Sequence, residues 1–156
     1  MNIIRTLLIC LITVATPAIA EEPRLVGSLG QQLSVNSPEA YMRFIGSPYF
    51  WKLQPVLGAS VASNGSGWVG AGSAVTWRAQ HSGLFFRTSV MAGLHRRGAG
   101  RDLGGPVQFR SAVDVGLLHR NGMEFGIGAD HRSNANIYTA NPGLNTAYVF
   151  LSVPLR

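Results

Sequence analysis

The sequence predicts an all-β protein, an eight-stranded antiparallel outer-membrane β-barrel. Three observations carry that expectation. After residue 20 no long segment repeats apolar residues at helical spacing. Instead, apolar and polar residues alternate in segments of about ten, with Gly, Asn or Pro between them. The side opposite each apolar face is charged or rich in glycine, which inverts the pattern of a soluble barrel.

The first 20 residues read as a secretory signal peptide. Arg5 supplies the positive start, residues 7–14 an apolar centre, and Ala18-Ile19-Ala20 a cleavage site before Glu21. The apolar run is shorter than the roughly 20 residues a spanning helix needs. Residues 21–156 are expected to form one barrel domain. The single cysteine, Cys10, leaves with the leader, so neither a disulfide framework nor thiol chemistry is expected. The mature chain keeps 12 basic residues against 7 acids, and Lys52 is the only lysine. Guanidinium forks fit phosphates. Anionic lipid head groups are therefore the expected partner, with no nucleic acid.

The N-terminal third is the least regular. Strands are expected at 25–35, at 41–45 and at 51–61, the last despite Pro55, which has no N–H for a ladder. The next five are clearer. Val69, Ala71, Ser73, Val75 and Trp77 share a face near 68–79, and Leu84, Phe86, Thr88, Val90, Ala92 and Leu94 near 84–95. Val107, Phe109, Ser111, Val113, Val115 and Leu117 follow. Asn121-Gly122 is a strong two-residue hairpin signal. It leads into a strand with Met123, Phe125, Ile127 and Ala129 on its apolar face. The last strand, near 144–155, alternates through Ala147, Val149, Leu151, Val153 and Leu155.

The opposite faces carry Gln108, Arg110, Asp114 and Gly116, then Glu124, Gly126, Gly128, Asp130 and Arg132. Opposite charges on adjacent strands can pair across a narrow interior, and the glycines leave them room. Trp51, Trp68, Trp77, Tyr138 and Tyr148 are expected to include interface anchors. A soluble lipocalin-like barrel, with its apolar faces turned inward, is the structural alternative. The glycines of the polar face favour the membrane form.

The chemistry concentrates in Asp130-His131-Arg132-Ser133-Asn134-Ala135 and in Asn145. His131 and Ser133 share the apolar face of their strand, as a general base and a nucleophile must. Asn145 has the parity of Ala147 and Val149, and antiparallel pairing across Asn141-Pro142-Gly143 would set it beside them. Polar groups on a lipid face are costly unless they bond each other. A nucleophile there suits a lipid substrate. Glu124 and Asp130 have the inward parity and read as interior ion-pair partners. Arg96, Arg97 and Arg101 cluster in one loop and are candidates for substrate phosphates. His81 and His95 have no metal-ligand spacing, and no cofactor or metal is expected.

The segment 110–156 resembles the C-terminal part of the lipid A 3-O-deacylases, small outer-membrane barrels of the PagL type. The resemblance rests on the Asn121-Gly122 hairpin, His131-Arg132-Ser133-Asn134-Ala135, Asn141-Pro142-Gly143 and Ser152-Val153-Pro154-Leu155. It implies a serine esterase that removes the 3-hydroxyacyl chain at position 3 of lipid A in lipopolysaccharide. Ser133 would be the nucleophile, His131 the base, and Asn134 and Asn141 oxyanion or loop-organising residues. A homodimer is admitted as an assembly. In one respect the chain departs: characterised members carry glutamate as the third group, and here that position is Asn145. The site also resembles that of outer-membrane phospholipase A, whose His-x-Ser pair is oriented by asparagine. Phospholipid hydrolysis and a non-catalytic barrel are the alternative functions.

Overall fold

A computed structural model describes residues 21–156; the expected signal peptide lies outside the described residues. Eight antiparallel strands follow one another around a closed barrel. They are β1 (Arg24–Gln32), β2 (Ser37–Ile45), β3 (Gln54–Ala62), β4 (Gly67–Arg78), β5 (Leu84–Arg96), β6 (Val107–Leu118), β7 (Glu124–Ser133) and β8 (Leu144–Pro154). β8 pairs back onto β1, from Arg24↔Pro154 to Gln32↔Thr146. No edge is left open, so every strand has a partner on both sides, as a hydrocarbon environment demands.

The five C-terminal strands lie where the alternation put them, and the N-terminal three needed revision. The short segment expected at 41–45 is a full strand beginning at Ser37. The third strand starts at Gln54 rather than at Trp51. Pro55 fits because the β2–β3 ladder begins one residue later, at Ile45↔Val56. Just beyond that ladder the Gly46 N–H donates to Pro55 O, and the Gly46 carbonyl that a Pro55 N–H would have served accepts Gln54 Nε2 instead.

The outside of the barrel is apolar. Leu29, Val69, Val90, Leu94, Ile127 and Val149 are each more than half exposed. The inside holds the polar and charged side chains: Arg43, Arg87, Arg110, Arg132, Gln108 and Glu124 are almost wholly buried. The expected parity of β6 and β7 holds along both strands. Trp68 and Tyr148, expected among the interface anchors, lie inside the barrel instead. Their parity shows why: Tyr148 alternates with the outward Ala147 and Val149.

The interior charges stack in three layers. Toward one end, Arg110 pairs with Asp130 and Glu39, and Arg132 with Glu39. In the middle, Arg43 forks onto Asp114 at 2.8 and 3.2 Å, and the Tyr148 hydroxyl donates to Asp114 at 2.7 Å. Toward the other end, Glu124 receives Arg24, Arg78 and Arg87. Aromatic faces fill the gaps, with the Arg110 guanidinium 3.6 Å from the centre of the Tyr41 ring. Glycine makes the room: a Cβ on Gly128 would stand 2.4 Å from Tyr148 and 2.7 Å from Asp114.

Removing one member of such a pair leaves a buried charge without a partner. Asp114→Ala is expected to cost about 3–5 kcal/mol of stability. A urea titration of the barrel folded into vesicles reads it. The joint replacement Arg43→Met with Asp114→Leu should recover most of the loss. An Asp114→Ala midpoint equal to that of the unaltered chain would remove the layer from the account of stability.

Candidate active site

β7 and β8 build the site through their register. His131 lies directly opposite Asn145 in the β7–β8 ladder. Both point outward and are exposed, while their neighbours Arg132 and Thr146 point inward and are buried. His131 Nδ1 and Asn145 Oδ1 are 2.7 Å apart. An amide oxygen only accepts, so Nδ1 carries the proton and donates it. That leaves the lone pair on Nε2, the tautomer a general base requires.

Ser133 is the last residue of β7, two positions from His131 and on the same face. It is half-buried, and its Oγ makes no hydrogen bond to His131 among the described residues. Catalytic contacts of this kind often tighten only once substrate is bound. On the β6 side, Phe109 lies opposite Ser133 and Ser111 opposite His131. Both point outward, and Ser111 is the further polar group beside the imidazole. Its parity was legible in the sequence, but its pairing with His131 was not.

The loop 134–143 is held by its asparagines. Asn134 is fully buried and donates Nδ2 to the carbonyls of Leu103 at 2.8 Å and Ala140 at 2.7 Å. Asn141 Oδ1 accepts the Asn134 backbone N–H at 3.0 Å, and its Nδ2 donates to Asn136. Both amides are thus committed to the loop. Ala135 and Asn136 have φ of +50° and +63°, a left-handed pair immediately beyond the Ser133-Asn134 step. Such conformations in residues other than glycine cost energy and need the surrounding bonds to hold them. Gly143, at φ +66°, closes against the site: a Cβ there would stand 2.8 Å from His131 Cε1.

A second loop, 97–106, docks on the first. Leu103 is buried, and the Val107 N–H donates to the Tyr138 hydroxyl at 3.3 Å. The sequence offered no signal for this contact beyond the turn residues of both loops. Of the three arginines expected in one loop, Arg96 ends β5 while Arg97 and Arg101 lie in the loop; Arg97 is engaged with Asp102 at 3.1 Å and with the Gly100 carbonyl. Arg96 and Arg101 have no hydrogen-bond or ion-pair partner among the described residues. No group of three or more His, Cys, Asp or Glu side chains suited to a metal occurs among the described residues.

These features define a class. The fold is a closed eight-stranded barrel with a polar interior, and an oriented histidine beside a serine stands on its apolar wall. The family model for lipid A 3-O-deacylase (PagL) matches residues 29–154, and the chain belongs to that family. The crystal structure of the outer-membrane enzyme PagL is similar in fold, with a TM-score of 0.73 at 16% identity over 85% of this chain and 99% of that one. A de novo designed transmembrane β-barrel reaches 0.59 at 9% identity, covering 86% and 95% of the two chains. Neisserial surface protein A reaches 0.52 at 10% identity, with the same two coverages. No curated protein matches the sequence.

The asparagine latch gives a local prediction. Asn134→Ala removes both donors to Leu103 and Ala140 and should cost about 1–3 kcal/mol, confined to the loops. Hydrogen exchange should then rise in 97–106 and 134–143 and stay unchanged in β2 and β3. Equal protection of the loops in variant and parent would count against the latch.

Proposed function

We propose that the protein is an outer-membrane serine esterase that hydrolyses the ester-linked 3-hydroxyacyl chain at position 3 of lipid A. The observation that carries this reading is the 2.7 Å contact of His131 with Asn145 on the outward wall, with Ser133 on the same face. Family membership supports the substrate. The two longest loops, 97–106 and 134–143, lie at the same end of the barrel as the site. In outer-membrane barrels the longer loops are the extracellular ones.

In the proposed reaction Ser133 Oγ attacks the ester carbonyl as His131 Nε2 takes its proton. The tetrahedral intermediate collapses, and His131 returns the proton to the departing sugar oxygen. Water, activated by the same imidazole, then releases the fatty acid from Ser133. Asn145 holds the imidazole with Nε2 toward the serine but adds no charge to stabilise the imidazolium, unlike a carboxylate. Asn134 and Asn141 act as loop organisers, since their side-chain donors are already used. Of the loop's backbone N–H groups without an acceptor among the described residues, those of Ala135 and Asn136 are nearest Ser133 in sequence and are the candidate oxyanion donors. Arg96 and Arg101 supply free guanidinium groups for lipid A phosphates, and Arg97 a partly neutralised one.

Asn145 also favours a second reading. An amide orienter is the feature that resembles outer-membrane phospholipase A, and it makes phospholipid the alternative substrate.

Mass spectrometry of lipids from cells expressing the chain or its Ser133→Ala variant tests both. Loss of one hydroxyacyl chain from lipid A with the parent alone is the expected result. Intact lipid A alongside new lysophospholipid would transfer the assignment to the second reading. With purified enzyme, His131→Ala should lose about 10²–10⁴-fold in rate. Asn145→Glu should match or exceed the parent, because a carboxylate accepts the same Nδ1 proton and stabilises the imidazolium. A collapse of Asn145→Glu would argue that the amide has another task. Arg96→Ala with Arg101→Ala should raise KM and leave kcat nearly unchanged. A fall in kcat at constant KM would remove both from ground-state binding.

A further inference from the structure

The end of the barrel away from the site carries a turn unlike the others there. It runs from 46 to 53 between β2 and β3, and the companion turns, 79–83 and 119–123, are shorter. At its tip are Tyr49, Phe50, Trp51 and Lys52. The three aromatics are 63%, 70% and 67% exposed. Turns that face water are built from Gly, Asn, Asp, Ser and Pro. Three adjacent exposed aromatics in one turn form an apolar patch that needs a partner.

The turn is well fixed. The Tyr49 N–H donates to Leu53 O, the Leu53 N–H to Phe50 O, and the Gly46 N–H to Pro55 O. Gln54, wholly buried, donates its amide to Gly46 O from inside the barrel. Trp51 sits at φ +48°, a conformation bulky residues rarely adopt, so the tip is held in place by its bonds. Its direction is set by Tyr49. The Tyr49 hydroxyl is 2.9 Å from Ser73 Oγ. Ser73 shares the outward face of β4 with Val75 and Trp77, five residues in from the end of the strand at Arg78. The turn therefore folds back over the outer wall, continuous with the apolar belt. Trp77 and Phe86 stack on that wall, 5.5 Å apart. Lys52 Nζ stays 5.9 Å from the centre of the Trp51 ring and is the chain's only ammonium side chain.

We propose that the β2–β3 turn is a membrane-interface anchor. Its aromatic rings occupy the glycerol and head-group layer of the leaflet at this end, and Lys52 meets a phospholipid phosphate there. Amphipathic aromatic rings prefer that layer, and a long basic side chain reaches from it to the phosphates. The anchor fixes the depth of the barrel from the end opposite the site. The proposal rests on the membrane-barrel reading and is independent of the reaction.

Fluorescence of Trp51 tests it in the full-length mature barrel folded into phosphatidylcholine vesicles. A Trp77→Phe variant leaves Trp51 and the interior Trp68. A Trp51→Phe, Trp77→Phe variant supplies the Trp68 background. Lipids brominated near the carbonyl end of the acyl chain should quench the Trp51 signal about twofold more than lipids brominated near the chain terminus. Aqueous acrylamide should quench it less than it quenches free tryptophan. Full acrylamide quenching with no effect of either brominated lipid would overturn the anchor, provided heat-modifiable migration shows a folded barrel. Stronger quenching by the deep bromines would also overturn it, by placing the turn in the hydrocarbon. A chain that fails to insert at all would count against the membrane barrel itself, and the anchor would fall with it.

Discussion

Closure of the sheet is the constraint on which everything else depends. A hydrocarbon surround offers no water to an unpaired N–H or C=O, so the eighth strand must return to the first. Once closed, each strand has only two directions for its side chains. One faces lipid and the other a narrow interior. A single residue of slip would exchange the two sets along a whole strand. It would place Arg110, Asp130 and Arg132 against acyl chains.

The buried charges follow from that geometry. The interior is narrow, yet it holds five buried arginines, Arg24, Arg43, Arg87, Arg110 and Arg132. They are tolerable because acids from neighbouring and opposite strands meet them, as Asp114 meets Arg43 and Glu124 meets Arg87. These pairs define register more than they add stability. Some of them lie directly behind the site: Asp130 and Arg132 flank His131 in sequence and are both ion-paired inside the barrel. A histidine and a serine on the outer wall are thus held from behind by ions.

The site itself is a breach in the apolar belt, and part of its polar equipment is paired internally. His131 and Asn145 bond across the β7–β8 ladder. Loop 134–143 turns its own amides inward onto itself and onto Leu103. Among the groups left for a ligand are the imidazole Nε2, the Ser133 hydroxyl and the backbone N–H groups of Ala135 and Asn136. The proposed acyl transfer would draw on these groups.

The sequence by itself determined the strand rhythm of the C-terminal half, the two faces of each strand, and the shared face of His131, Ser133 and Asn145. These depend only on the two-residue period, which local chemistry enforces. It also held the inward parity of Tyr148, although an aromatic residue invites an interfacial reading. The N-terminal strands were less legible because Gly27, Gly30 and Gly58 weaken the alternation there. The tertiary structure alone decided the quantities that depend on register between distant strands. Among them are Ser111 opposite His131, Arg43 on Asp114, and Leu103 under the 134–143 loop, whereas the nearness of Asn145 to His131 was already expected from pairing across the short loop. Period fixes which side a residue faces, but only the pairing of whole strands fixes what it meets there.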